Sequence, residues 1–312
     1  MSSGRKHDQS GGRAILRALP WLAPGLVLIV GVVLFPAGFM VFTSTRHITL
    51  SGVDTGGVGL ANYKTLFTSA ALPIVGVLLR TVIWVVVVVA GTIVISLLLA
   101  HFLNKAFPGR RLVRLVIIIP WAASVLMTTM VVYYMVQPNY GLVNNLLMQM
   151  SQHLHFLSAF SNGDFGFTKR MPWAFILAII VAIFVSLPFT TYTLLAGYQS
   201  ISKDILEAAY VDGARPRQTY FSVVLPQLRP ALTAAAIINI INVFNSYPIL
   251  KVMTGSMPGF AADTTTTMMF KILQTNQRAD VAAALAVVNF VIVILVIAAY
   301  MWLVKPLKGV DE

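Results

Sequence analysis

No cysteine occurs in the 312 residues, which excludes a disulfide framework, a thiolate nucleophile and any cysteine-ligated metal. Charge is scarce as well. Charged residues make up 10% of the chain while hydrophobic ones reach 58%, with a mean hydropathy of +0.83. Soluble domains carry about 25% charged residues, so a soluble globule is excluded and a polytopic membrane protein is expected. Acidic residues are the rarest charges, 10 against 22 Lys and Arg, and nearly all of them fall between or beyond the apolar runs. A proton-coupled carrier would bury at least one acid in mid-span, and no run holds one. There is no Gly-x-x-x-x-Gly-Lys-Ser/Thr string, so the chain is not expected to bind ATP. A zinc-protease motif, a Gly-x-Ser-x-Gly elbow and a repeated carboxylate–histidine arrangement are also missing. The net charge of +12 would suggest nucleic acid in a soluble chain. Here the cations sit mostly between apolar runs, and the positive-inside rule accounts for them.

Six runs are long enough to cross a bilayer core of about 20 residues. They are predicted at about 19–41, 81–103, 115–136, 173–195, 231–250 and 281–304. The first is followed by no small-residue cleavage site and is expected to stay as a membrane helix. Residues 1–18 and 305–312 read as tails. With a cytoplasmic N-terminus, the larger share of Lys and Arg falls inside: in both tails, in the basic turn at 104–114 and in residues 197–230. Pro120 interrupts the third run. The fifth is the most polar, with Asn239, Asn242, Asn245, Ser246 and Tyr247. Three Asn at intervals of three keep roughly to one helical sector. Such amides either line a translocation path or tie helices together. His153 and His155 would share a face only on a strand and have no carboxylate near in sequence, so no metal site is expected.

The chain is organised around Glu207-Ala208-Ala209-Tyr210-Val211-Asp212-Gly213-Ala214, followed by Leu225-Pro226 and Pro230. The pattern predicts helix, tight turn, helix. Ser202 suits an N-cap, Gly213 a left-handed helix end and Pro216 the first turn of the next helix. Pro226 and Pro230 are expected to stop that second helix. A short helical hairpin bearing Glu207, Asp212, Arg215 and Arg217 between two apolar runs reads as a docking handle.

Glu-Ala-Ala, Gly four residues after the second Ala and Leu-Pro a dozen further on resemble the coupling-loop signature of ABC importer permeases. Two softer strings resemble the carbohydrate-type permeases, which include the maltose and glycerol-3-phosphate systems. One is Gly59-Leu60-Ala61-Asn62-Tyr63-Lys64-Thr65-Leu66-Phe67, which also reads as an amphipathic interfacial helix. The other is Gly141-Leu142-Val143-Asn144-Asn145-Leu146-Leu147. The chain departs from the family pattern at Arg80, where an Asn is usual, and at Ser256-Met257, which loosens a Thr-x-Gly-Gly-Pro string. Arg80 reads as snorkelling to the outer headgroups or as functional.

The resemblance implies an all-α, six-helix type I ABC importer permease that is not itself an enzyme. It implies a sugar or sugar-like solute, a cell (inner) membrane location in a bacterium or archaeon, and N- and C-termini in the cytoplasm. The partners it implies are a second, homologous permease forming a heterodimer, two copies of a cytoplasmic ABC ATPase and an extracytoplasmic solute-binding protein. ATP and Mg would be bound by the ATPase, and no cofactor by this chain. Glu207, Ala208, Ala209, Asp212, Gly213 and Arg215 would make the ATPase contact, Glu207 as the ionic partner. Asn239, Asn242, Asn245 and Tyr247 are the candidate substrate path. Alternatives are a permease for phosphate, polyamine or peptide, a stand-alone secondary carrier or channel, and a membrane scaffold without transport.

Overall fold

The computed structural model describes residues 20–49, 51–154, 160–255 and 259–304. The tails at 1–18 and 305–312, His155 and Ser256-Met257 lie outside the described residues. Helix α1 (Pro20–Ser44) is followed by the hairpin β1 (Arg46–Ile48) and β2 (Asp54–Gly57), then α2 (Ala61–Thr68) and α3 (Ile74–Asn104). Next come α4 (Arg110–Ala122), α5 (Val125–Met135), α6 (Leu142–Ser151) and α7 (Trp173–Gln199). The chain continues through α8 (Lys203–Val211), α9 (Pro216–Gln227), α10 (Arg229–Phe244) and α11 (Tyr247–Thr254), and ends in α12 (Thr265–Gln274) and α13 (Ala279–Val304). Among the described residues, α1, α3, α7 and α13 are long and apolar enough to cross a membrane. Counting the bent pairs α4–α5 and α9–α10 as one span each gives six. The fold is all-α apart from one hairpin.

Contacts divide the chain into two compact units. The first comprises residues up to Thr68 with Ile272–Val287. Its α1 buries none of its most apolar stretch within the chain, which is unremarkable for a helix whose solvent is lipid. The end of α1 is tied down by polar side chains. Asn62 Nδ2 donates to the carbonyls of Ser44 and Arg46, both at 2.9 Å, and the Ser44 and Tyr63 hydroxyls are 2.8 Å apart. Those carbonyls belong to the last turn and exit of α1, which have no intrahelical partners. In the hairpin, the Gly56 N–H and the Arg46 guanidinium hold the Asp54 carboxyl below its ordinary range. Asp280, wholly buried, receives Arg278 at 2.9 Å and His47 at 2.7 Å.

The second unit comprises Ser69–Lys271 and the residues from Val288 on. Its core is the α3–α7 pair with α10 and α11 laid against it. Trp84, Val88, Phe175, Val243, Leu250 and Met253 form its centre. Trp84 satisfies its indole by donating to the Val243 carbonyl at 2.8 Å, and its ring lies 5.8 Å from that of Phe175. Close approach sets the α7–α10 contact. A Cβ at Gly197 would sit 2.6 Å from the Ala231 Cβ, so nothing larger fits without displacing a helix. Overpacking of this kind costs about 1–3 kcal/mol. Gly197→Val is expected to lower the melting temperature of the purified protein by several degrees, while Gly38→Ala, with nothing within 4 Å of the added Cβ, leaves it unchanged.

Two sequence expectations are corrected here and one is met. The third run is not one helix but α4 and α5, bent by 95°, because Pro120 removes a rung and Ala123 and Ser124 adopt extended backbone. The fifth run does not continue to Leu250. It ends at Phe244, and Pro248 in the first turn of α11 starts a separate helix. As expected, the second hairpin helix stops between Pro226 and Pro230: α9 ends at Gln227, and the chain bends by 64° into α10. Pro230 sits in the first turn of α10, where its missing N–H has no carbonyl to lose.

Candidate functional site

The hairpin is built by local rules. Ser202 Oγ accepts the Asp204 N–H at 3.2 Å and caps α8. Gly213, at φ 74°, closes its far end. The Ala214 N–H reaches the Ala209 carbonyl at 3.1 Å and the Gly213 N–H that of Tyr210 at 3.0 Å, the paired closure that a left-handed glycine permits. Arg215 caps α9, its N–H donating to Gln218 Oε1 at 2.9 Å. Ala209 is buried, whereas Glu207, Ala208, Asp212, Gly213 and Arg215 are exposed. Tyr210 and Val211 are each 83% exposed, an apolar pair on a short charged helix. Underneath, Leu206 packs against Tyr198, Val224 and Leu228. His101 near the end of α3 contacts the Tyr198 hydroxyl at 3.2 Å and meets the Tyr220 ring edge-on at 5.1 Å. The hairpin is thereby seated on the ends of α3 and α7.

Above it lies a cavity of about 430 Å³ lined from α4, α7 and α10, by the start of α5, and by the break before α11 with its first turn. Asn239, Asn242, Asn245, Ser186 and Ser246 supply its polar wall, and Trp121, Phe189 and Ile249 its apolar one. The three amides differ in what they do. Asn239 is buried and donates to Thr190 Oγ1 and the Ala235 carbonyl, both at 2.8 Å, so it ties α10 to α7 as well as facing the cavity. Asn245 is the C-cap of α10 and returns a bond to the Ile241 carbonyl at 2.9 Å. Asn242 is exposed. Tyr247 stands apart: it is absent from the lining, and its ring lies tilted by 35° against that of Phe270 with centroids 4.1 Å apart. Among the described residues, no charged side chain lines the cavity.

Trp121 was not singled out from the sequence. Its position directly after an intraspan proline was the available signal. At the 95° bend its ring cannot pack along a continuous helix and is left 64% exposed. The two asparagines of the softer family strings are structural. Asn62 closes α1, and Asn144 donates to the carbonyls of Val136, Gln137 and Phe165 at 2.9 to 3.1 Å. Arg80 does not snorkel. It lies inside α3, and its Nε and Nη2 reach the carbonyls of Asp263 at 3.1 Å and Phe260 at 2.8 Å.

Residues 92–308 match the family described as the binding-protein-dependent transport system inner membrane component. The chain belongs to this family. Its relatives match along nearly their whole lengths. A protein described as a probable ABC transporter permease of Brucella suis biovar 1 is 31% identical over 91% of this chain and 96% of its own. The sulfoquinovosyl glycerol transport system permease protein of Agrobacterium fabrum is 30% identical over 93% of this chain and 91% of its own. Among solved structures, the bacterial alginate ABC transporter in complex with an alginate pentasaccharide-bound periplasmic protein contains a chain with the same fold. It superposes with a TM-score of 0.78 at 20% identity, covering 96% of this chain and 99% of that one. The fold is that of a type I ABC importer permease, and the chain is a membrane-spanning transport subunit.

Proposed function

We propose that this permease forms half of the membrane pathway of an ATP-driven importer for a sugar or sugar-like solute. The observation that supports the substrate class is the cavity itself, whose lining combines amides and hydroxyls with the exposed ring of Trp121. Amides pair with hydroxyls, and an aromatic face accepts the apolar C–H face of a pyranose. The relatives named for sulfoquinovosyl glycerol and sn-glycerol-3-phosphate transport point the same way. The second half of the pathway is a homologous permease. Two copies of a cytoplasmic ABC ATPase bind ATP and Mg and grip the hairpin through Glu207, Ala208, Ala209, Asp212, Gly213 and Arg215. A solute-binding protein delivers substrate from outside. The chain lies in the cell (inner) membrane of a bacterium or archaeon with both termini inside, and catalyses no reaction of its own.

Transport follows as linkage. ATP closes the ATPase dimer, the seated hairpins move with it, and the two permeases rock between inward- and outward-facing states. The test is uptake of labelled sugars by the complex in liposomes. Trp121→Ala is expected to slow uptake about two- to tenfold, the range for a lost aromatic contact, while Trp121→Phe keeps most of it. Uptake at the parent rate with Trp121→Ala removes the cavity from the reading.

A further inference from the structure

The hydrogen bonds of Arg80 lead to an inference that goes beyond the transport reading and rests on it. Arg80 and His101 lie on the same helix, α3, separated by about 32 Å at 1.5 Å per residue. Since His101 meets the hairpin segment through Tyr220, Arg80 is at the opposite end of the bundle. What it holds there is the segment Gly259–Thr267. Its guanidinium donates to two carbonyls of that segment, those of Phe260 and Asp263. The neighbouring Thr81 Oγ1 accepts the Thr265 N–H at 2.9 Å. Thr266 Oγ1 donates to the carbonyl of Phe244 at 2.8 Å, the last residue of α10 and next to the cavity residues Asn245 and Ser246. Lys271 Nζ closes the segment on itself, 2.8 Å from the Asp263 carboxylate and 2.7 Å from the Gly259 carbonyl. Asp263 and Thr264 to Thr267 are all buried.

We propose that Arg80 is a positioning residue that latches segment 259–267 across the end of the cavity remote from the hairpin, holding that end shut while the hairpin end is free to open. Several features favour a latch over a mere packing contact. The segment's carbonyls are gripped by a cation projecting from a span, an expensive placement unless it has a task. An arginine fork holds two carbonyls at once, through Nε and Nη2. Its bonds, with those of Thr81 and Phe244, join one short segment to α3 and to the cavity-lining end of α10. On this proposal, an opening that moves α3 against α10 breaks one set or the other.

The absence of native cysteine allows a direct measurement. Ser246→Cys places one near-isosteric thiol in the cavity wall of this chain. Labelling by a membrane-impermeant maleimide is then followed from outside in liposomes holding the complete transporter without ATP. With Arg80 in place the thiol is expected to be protected. Arg80→Gln should raise the labelling rate about tenfold, in keeping with the loss of charge-assisted bonds, and Thr81→Val should raise it by a smaller factor. Arg80→Lys should fall between parent and Arg80→Gln, a graded response that a general loss of folding would not produce. ATP hydrolysis without binding protein should rise in parallel. If a parent complex that imports sugar shows the same labelling rate in all four backgrounds, the latch is overturned and the transport reading stands. A parent complex that imports nothing overturns the transport reading and the latch with it.

Discussion

Glu207→Lys is expected to abolish ATP-driven uptake while the protein still inserts and folds. The side chain is exposed on a nine-residue helix whose cap, Schellman-type closure and underside contacts do not involve it, so the monomer has no structural use for its charge. Its proposed use is pairing with a basic group of the ATPase. Breaking a desolvated interfacial charge pair costs about 2–5 kcal/mol, or one and a half to three and a half decades of affinity. Purified in mild detergent, the variant should lose at least nine-tenths of its ATPase relative to the parent. Gly213 gives an independent check through geometry. At φ 74° a β-branched residue is strained, so Gly213→Val should uncouple as Glu207→Lys does, whereas Gly213→Asn, tolerant of the left-handed region, should retain most uptake. Full ATPase retention by Glu207→Lys would remove the hairpin from the coupling role.

The second large effect separates two amides that look alike in sequence. Asn242→Leu should reduce uptake by about one order of magnitude, because a solute hydroxyl that loses its amide partner in the cavity wall costs about 1–3 kcal/mol. Thermal stability should hardly change, since Asn242 is exposed and no neighbour depends on it. Asn239→Leu should do both. It strips Thr190 and the Ala235 carbonyl of their donor, so melting temperature and uptake fall together. If Asn242→Leu melts earlier and transports normally, the amide is a helix tie and the cavity wall has been misassigned.

These cases show which parts of the molecule could be read from the sequence. Ser202, Gly213 and Pro216 obey rules that act over four or five residues, so their roles follow from residue type and spacing alone. The extent of the fifth span did not. Its apolar pattern continues past Phe244, and only the coincidence of Asn245, Ser246 and Pro248 breaks it, which puts Tyr247 on another helix and against Phe270 instead of in the cavity. Arg80 was unreadable for a different reason: its partners are two backbone carbonyls about 180 residues away, and a carbonyl leaves no mark in a sequence. Asn62 and Asn144 belonged to strings that resembled a substrate class, yet both are used to satisfy stranded carbonyls. Motif and role came apart because an amide that closes a helix end and one that binds sugar use the same donor.

The break between α4 and α5 has a bearing on hydration. A helix that restarts at Val125 begins with N–H groups that have no carbonyl one turn earlier, and Ser124 supplies no side-chain cap. In hydrocarbon each orphan group costs several kcal/mol, so such backbone is tolerated only where protein or water meets it. Trp121 and Val125 flank the break and both line the cavity. Whatever meets these groups, water in the cavity or a facing protein surface, is therefore part of the pathway's structure at the bend.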